Sequence, residues 1–361
     1  MSERRFVDWG LAQRIAVGVA GDGRAAAPFG VEAVDAACAE ARELVLGYTE
    51  LAPAGELPRP ELVDRAEWAR IGMRSLRELS TDFERRIAEG INLPAPLGGV
   101  ARSVAGAAAA AEAGVAVGYG ARKVLGQYDV ALTPANREPR LVFVGPNLAH
   151  AHAELGEDPD LFLRWIAIHE TTHAAQFGAV PWLRSHLAGL LGELVSGASA
   201  RLDGSSLRGL ARRLFRSDPR ATIRTVLQGD LPRLLAGPQQ SRILDRLQAT
   251  MSVVEGYAEH VMDAAAGDRD PGYARLRARL EARRESRGGL GEVISRLLGL
   301  ELKMRQYRLG KAFCDAVASD AGIAGLNRVW ESPDSIPTID ELERHGEWLR
   351  RTIDAAVGGR A

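Results

Sequence analysis

The segment "GEDPDLFLRWIAIHETTHAAQFG", residues 156–178, constrains the fold more than any other stretch of the chain. It carries its own helix boundaries. Asp158 is a good N-cap, Pro159 takes the first helical position, and Gly178 stands where a left-handed C-terminal residue is wanted. At helical spacing Phe162, Trp165 or Ile166, His169, His173 and Phe177 share one stripe. The face that must enter the core therefore carries two imidazoles. Neighbours four apart on a helix lie about 5–6 Å from each other, so both rings can converge on one ion. Glu170 is rotated one position away, beside such an ion, where it can take a proton from a water.

A zinc site needs a third protein ligand and an open position. The letters "AAQFGAV" after His173 lack the metzincin Gly and His spacing, which excludes that class. The best candidate lies in "SRILDRLQATMSVVEGYAEHVMDAAAG", expected to be a long helix opened by Pro238 and closed around Gly267. Its apolar stripe runs Leu247, Met251, Glu255, Ala258 and Met262, so a carboxylate occupies a core position. A buried unpaired charge costs several kcal/mol, and Glu255 needs either a metal ion or an arginine as partner. His260 is the rival third ligand, pointing further round the helix.

The spacing Glu255-x-x-x-Glu259 resembles the third-ligand helix of gluzincins such as thermolysin. That resemblance implies Glu255 as ligand and Glu259 as the carboxylate that orients His169 through its second nitrogen. Five ordered blocks carry a broader likeness: "VDWGLAQRIAVG", "IAIHETTHAAQFGAVPWLRSHL", "MSVVEGYAEHVMDA", "LGLELKMRQYRLGKAFCDAV" and "GLNRVWESPDSIPT". Together they resemble the zincin-like hydrolases of actinobacteria, a family also associated with deazaflavin coenzyme biosynthesis. The likeness spans nearly the whole chain. It implies a mostly helical zincin-like fold and a zinc hydrolase with His169, His173 and Glu255 on the metal and Glu170 as catalytic base. It implies no substrate. Members of that family often carry His where this chain has Tyr257, which makes Tyr257 a poor metal ligand.

The rest of the chain frames this site. With 46% apolar and 26% charged residues over 361 positions, the composition is that of a globular protein. A net charge of −1 gives no bulk field toward nucleic acid or an anionic membrane. Two cysteines, Cys38 and Cys314, make neither a disulfide framework nor a thiolate cluster. The first 21 residues lack the continuous apolar run of a secretory signal, and a cytoplasmic location is expected. Helical periodicity fills "VEAVDAACAEARELVLGYTE" and "RAEWARIGMRSLRELSTDFERRIAEG". The Ala- and Gly-rich run "ARSVAGAAAAAEAGVAVGYGARKVLG" suits a tightly packed helix rather than a membrane span. One strand is expected, in "RLVFVGPNL", and by analogy with other zincins Leu141–Val144 would be an edge strand able to hold extended peptide. The expected fold class is therefore mainly α, zincin-like, with a small β element before the His169 helix. A single domain over 1–361 is the reading, with 1–125 as a candidate helical subdomain.

Weaker signals surround these. "LELKMRQYRLGKAF" aligns Lys303, Gln306, Tyr307 and Gly310, and Tyr307 is either an oxyanion donor or a core aromatic, the latter favoured. His150 and His152 are expected at a loop exit rather than on a metal. The Gly-rich pieces match no nucleotide loop, no nucleophile elbow is present, and "RLRARLEARRESRGG" reads as a solvated helix face. The expected function is a zinc-dependent hydrolase acting on a peptide or small molecule, most simply a metallopeptidase. No nucleic-acid or membrane partner is expected, and the oligomeric state is open. A zincin-like protein that binds without turnover is the alternative.

Overall fold

In a computed structural model the chain is described at residues 7–21, 23, 29–90, 97–129, 138–201, 238–266, 272–287 and 305–358. Helices α1 (Trp9–Ala20) and α2 (Val31–Thr49) lead into strand β1 (Pro60–Val63). Helices α3 (Arg65–Gly90) and α4 (Leu97–Gly120) precede the antiparallel strands β2 (Gly126–Asp129) and β3 (Arg140–Val144). Then follow α5 (Gly145–Leu155), α6 (Pro159–Ala179), α7 (Pro181–Arg201), α8 (Pro238–Ala266), α9 (Tyr273–Arg287) and α10 (Arg305–Leu326). Two short 3-10 turns and helices α11 (Ile339–Glu343) and α12 (His345–Gly358) complete the described elements. The fold is mainly helical, as expected. None of the described helices is long and apolar enough to cross a membrane.

The sheet organises the packing. Its strand order is β1-β3-β2, with β1 parallel and β2 antiparallel to β3. Successive side chains of a strand point to opposite faces, and here both faces of β3 are covered. Leu141 and Phe143 enter one core with α2, α5, α6 and α8, while Val142 and Val144 enter another with α1, α3 and α4. This corrects the edge-strand expectation. β3 is central, its backbone groups are shared between two neighbours, and Leu141–Val144 has no edge on which to take a peptide strand.

Two local expectations also change. The strand ends at Val144 as expected, and Pro146 in the first helical turn starts α5 at once. His150 and His152 therefore sit on a helix, closed by left-handed Gly156. Residues two apart on a helix diverge by about 200°, which removes the metal reading of that pair. His150 pairs with Glu154 at 3.2 Å, while His152 Nε2 lies 3.0 Å from the Glu157 carbonyl oxygen. Gly178 is not a left-handed cap: α6 runs through it to Ala179, and Val180 caps the end with φ −113°. Gly178 instead lies against Pro53, and its carbonyl accepts the Ala54 N–H.

Helix α6 begins as its sequence requires, with Asp158 Oδ1 accepting the Leu161 N–H at 2.9 Å. It is buried on nearly every side rather than along one stripe. Full burial of a side chain such as Phe162 or Ile168 stabilises by roughly 1.5–3 kcal/mol. The same helix buries Glu170, Thr172, His173 and Gln176, each of which needs a polar partner at that depth. Where those partners lie defines the site.

Candidate metal centre

Helices α6 and α8 meet so that three donor atoms face each other. His169 Nε2 and His173 Nε2 are 3.2 Å apart, and Glu255 Oε2 lies 3.7 Å from the first and 3.8 Å from the second. Four tetrahedral ligands at about 2.0–2.1 Å from a zinc ion stand about 3.3 Å from one another. The triangle matches that spacing to within about half an ångström. Two neutral imidazoles and one carboxylate are also a donor set that zinc accepts. The site is recessed but reachable, with side-chain exposures of 13% for His169, 11% for His173 and 21% for Glu255.

The tautomer of His173 follows from its neighbours. Gln176 Nε2 donates to the Val254 carbonyl at 3.0 Å, so its Oε1, 2.9 Å from His173 Nδ1, must accept the Nδ1 proton. That leaves the Nε2 lone pair of His173 turned toward Glu255 and His169. Gln176 thereby links both helices, bonding His173 on one side and the residue preceding Glu255 on the other. The His169 ring meets His173 edge-on at 4.6 Å and lies parallel to the Trp165 indole at 6.5 Å.

Glu170 points to a different wall. Its Oε2 accepts the Tyr128 backbone N–H at 3.0 Å, from the outer edge of β2. Its methylenes lie against Gly126, where an added Cβ would stand 2.7 Å from Glu170 Cγ. Strand β2 thus holds this carboxylate between the sheet and α6, and only glycine leaves it room.

The close crossing of α8 and α10 sets the position of Glu255. A Cβ on Gly256 would come within 2.5 Å of Lys311 N, and one on Gly310 would stand 1.9 Å from Ser252 O. Backbone lies on backbone there, which fixes the turn of α8 that carries Glu255. Its other face binds elsewhere. His260 Nε2 accepts the Tyr48 hydroxyl at 2.7 Å, and its Nδ1 donates to Asp315 at 2.8 Å. His260 is therefore taken up between α2 and α10, and Glu255 is the α8 residue brought to the imidazole pair. Tyr257 is fully buried, donates to Asn327 at 2.7 Å and packs edge-on to Trp330. Burial above all pushes its pKa well up, so it is a core phenol. Glu259 lies one turn beyond Glu255, in a small cavity with Trp165 and Tyr273. Lys303 and the side chains of Gln306 and Tyr307 lie outside the described residues.

Sequence reasoning missed Gln176, the Gly126 seat, the Tyr128 amide and the Gly256–Gly310 crossing. Only the glycines left a readable sign. Gln176 stands one turn after His173 on the helix, but nothing in the letters shows that it bridges to a backbone carbonyl 78 positions away.

A helix carrying H-E-x-x-H, with a carboxylate from a second helix closing the triangle, defines a site of the zincin class. Comparison with known families agrees: the family model for zincin-like metallopeptidases matches residues 7–349, and the chain belongs to that family. It is also similar to a solved structure described as a "putative hydrolase with a novel fold" from Chloroflexus aurantiacus. The identity is 28%, the TM-score 0.69, and the match covers 96% of this chain and 98% of that one. A comparison with curated proteins gave no match. These likenesses carry the family and the hydrolase class; they say nothing of actinobacteria or deazaflavin.

Proposed function

We propose that this protein is a zinc-dependent hydrolase acting on peptide bonds, with His169, His173 and Glu255 as metal ligands and Glu170 as general base. The observation that carries the reading is the triangle of His169 Nε2, His173 Nε2 and Glu255 Oε2, drawn from two helices with edges of 3.2–3.8 Å. Zinc bound there supplies Lewis acidity and lowers the pKa of a coordinated water toward about 7.

The chain's own residues do the rest. His169 and His173 bind through Nε2, and the Gln176 amide keeps the His173 proton on Nδ1. Glu170 takes a proton from the attacking water as that water adds to the carbonyl, then returns it to the leaving amine. The Tyr128 N–H and the Gly126 seat hold that carboxylate in one orientation between encounters. Glu259, one turn beyond Glu255 and on the Trp165 side of His169, is read as the carboxylate that supports that ring.

The same contact on Glu170 favours a second reading, a zincin-like protein that binds without turnover, because a base tied to a backbone amide is partly spent. Replacing Glu170 with Gln separates the two. The hydrolase reading requires the variant to keep its metal and lose peptide cleavage by ~100-fold or more. A wild-type protein that holds zinc and cleaves no member of a peptide library supports the binding reading.

A further inference from the structure

Away from the metal triangle, three helices bring a hydroxyl, an imidazole and a carboxylate into one line. Tyr48 comes from α2, His260 from α8 and Asp315 from α10. Tyr48 Oη lies 2.7 Å from His260 Nε2, and His260 Nδ1 lies 2.8 Å from Asp315 Oδ1. Lys311 bonds the other Asp315 oxygen and reaches Asp263 at 3.0 Å. Against burial, which raises it, the bonds from His260 and Lys311 hold the Asp315 carboxyl below its ordinary value. An ionised carboxylate can only accept, so His260 Nδ1 carries the proton and the Nε2 lone pair faces the Tyr48 hydroxyl.

This order of groups is the one that activates a hydroxyl nucleophile: a base within about 2.6–3.2 Å of the oxygen and a third group fixing the base. The Tyr48 phenol needs such a base. Burial first, then the Asp315 charge, push its pKa up, so at neutral pH it keeps its proton. That proton must leave as the oxygen attacks, and His260 Nε2 stands where it would go. Asp315 then stabilises the imidazolium. Tyr48 is partly exposed and the Asp315 side chain 43% exposed, so the cluster is open to a small reagent. The Tyr48 ring packs against the main core and the Asp315 charge repels anions, which favours a neutral reagent. His260 leaves α8 about 140° round the axis from Glu255, on a different face from the metal ligand.

We propose that Tyr48 is a nucleophile activated by His260 and Asp315, able to take an acyl group from a small neutral ester. Tyr48 Oη bonds to the ester carbonyl carbon as its proton passes to His260 Nε2. The bond from that carbon to the leaving oxygen then breaks, and His260 gives the proton to the departing group. The products are O-acylated Tyr48 and a free alcohol or phenol, with no change of oxidation state. Neither the metal nor the hydrolase reading enters this step.

The test is reaction of the full-length protein with p-nitrophenyl acetate, followed by nitrophenolate release and by mass spectrometry of the labelled chain. Tyr119, also partly exposed, is the internal reference. Wild type should acetylate Tyr48 at least tenfold faster than Tyr119, at the same rate whether zinc is added or chelated. Tyr48→Phe should abolish that label. His260→Gln should slow it by about 100-fold or more, and Asp315→Asn by about tenfold or more. Should His260→Gln fail to fold, Tyr48→Phe and Asp315→Asn decide. Equal labelling of Tyr48 and Tyr119, or a Tyr48 label untouched by Asp315→Asn, overturns the proposal and leaves the three groups as a strut between helices. A label that disappears when zinc is chelated also overturns it, because the metal centre would then be the source.

Discussion

Gln176 Oε1 lies 2.9 Å from His173 Nδ1, while the amide nitrogen of the same side chain reaches the carbonyl of Val254. One side chain thus orients the His173 imidazole and ties its helix to the residue before Glu255. Such outer partners of metal ligands are worth about 10–100-fold in affinity. Gln176→Met, similar in size and apolar, should therefore weaken zinc binding by about that factor, read by competition with a chelating dye. Unchanged affinity would mean that the tautomer of His173 is set by something else.

The seat of Glu170 gives a second outcome. Gly126→Ala places a methyl 2.7 Å from Glu170 Cγ, so the carboxylate must swing off the Tyr128 amide. Misplacing a reacting group by about 1 Å costs on the order of 100-fold in rate. The expected result is kcat down by about that much with KM and zinc content close to wild type. A variant whose loss lies all in KM would show that Gly126 shapes substrate binding instead.

Helix α8 owes its position to two glycines. Gly310→Ala drives a methyl into the Ser252 carbonyl, a backbone atom that cannot rotate away. Overpacking of this kind destabilises by about 1–3 kcal/mol, and urea unfolding should show it. Because Glu255 rides on the displaced turn, the variant should also gain less thermal protection from added zinc than wild type does.

These features mark how far the letters could be read. Helix α3 runs Arg65–Gly90 and α8 starts at Pro238, both as their periodicity and punctuation require. Glu255 was legible because a carboxylate broke an apolar stripe. Strands β1 and β2 were not, since "PELV" and "GQYD" are four residues long and owe their pairing to β3, which lies far off in sequence. With neither neighbour legible, nothing in the letters countered the analogy that made β3 an edge. The seat of Glu170 depends on that unseen pairing, so this wall of the site could not be read from local pattern. His260 was ambiguous for a related reason: its partners, Tyr48 and Asp315, come from two other helices.

Strand β1 is also tied to β3 by charge. Arg140 donates to both oxygens of Glu61, and that bonding holds the Glu61 carboxyl below its ordinary value of 4.5. A carboxyl lowered in the folded state contributes stability above its unfolded value, lost as pH falls through the folded one. Glu61→Gln should therefore be less stable than wild type at pH 6, and the gap should close as pH is lowered toward 3. A gap that stayed constant with pH would show that the pair acts through packing and not through charge.

In the proposed centre two α6 imidazoles and one α8 carboxylate hold a single ion. X-ray absorption at the zinc edge, on protein loaded with one equivalent, tests it most directly, alongside the same measurement on Glu255→Ala. The expected result is two imidazole nitrogens at about 2.0–2.1 Å with oxygen completing the shell, and at least tenfold weaker binding in the variant. A shell containing sulfur, a single imidazole, or zinc held as tightly without Glu255 would contradict it.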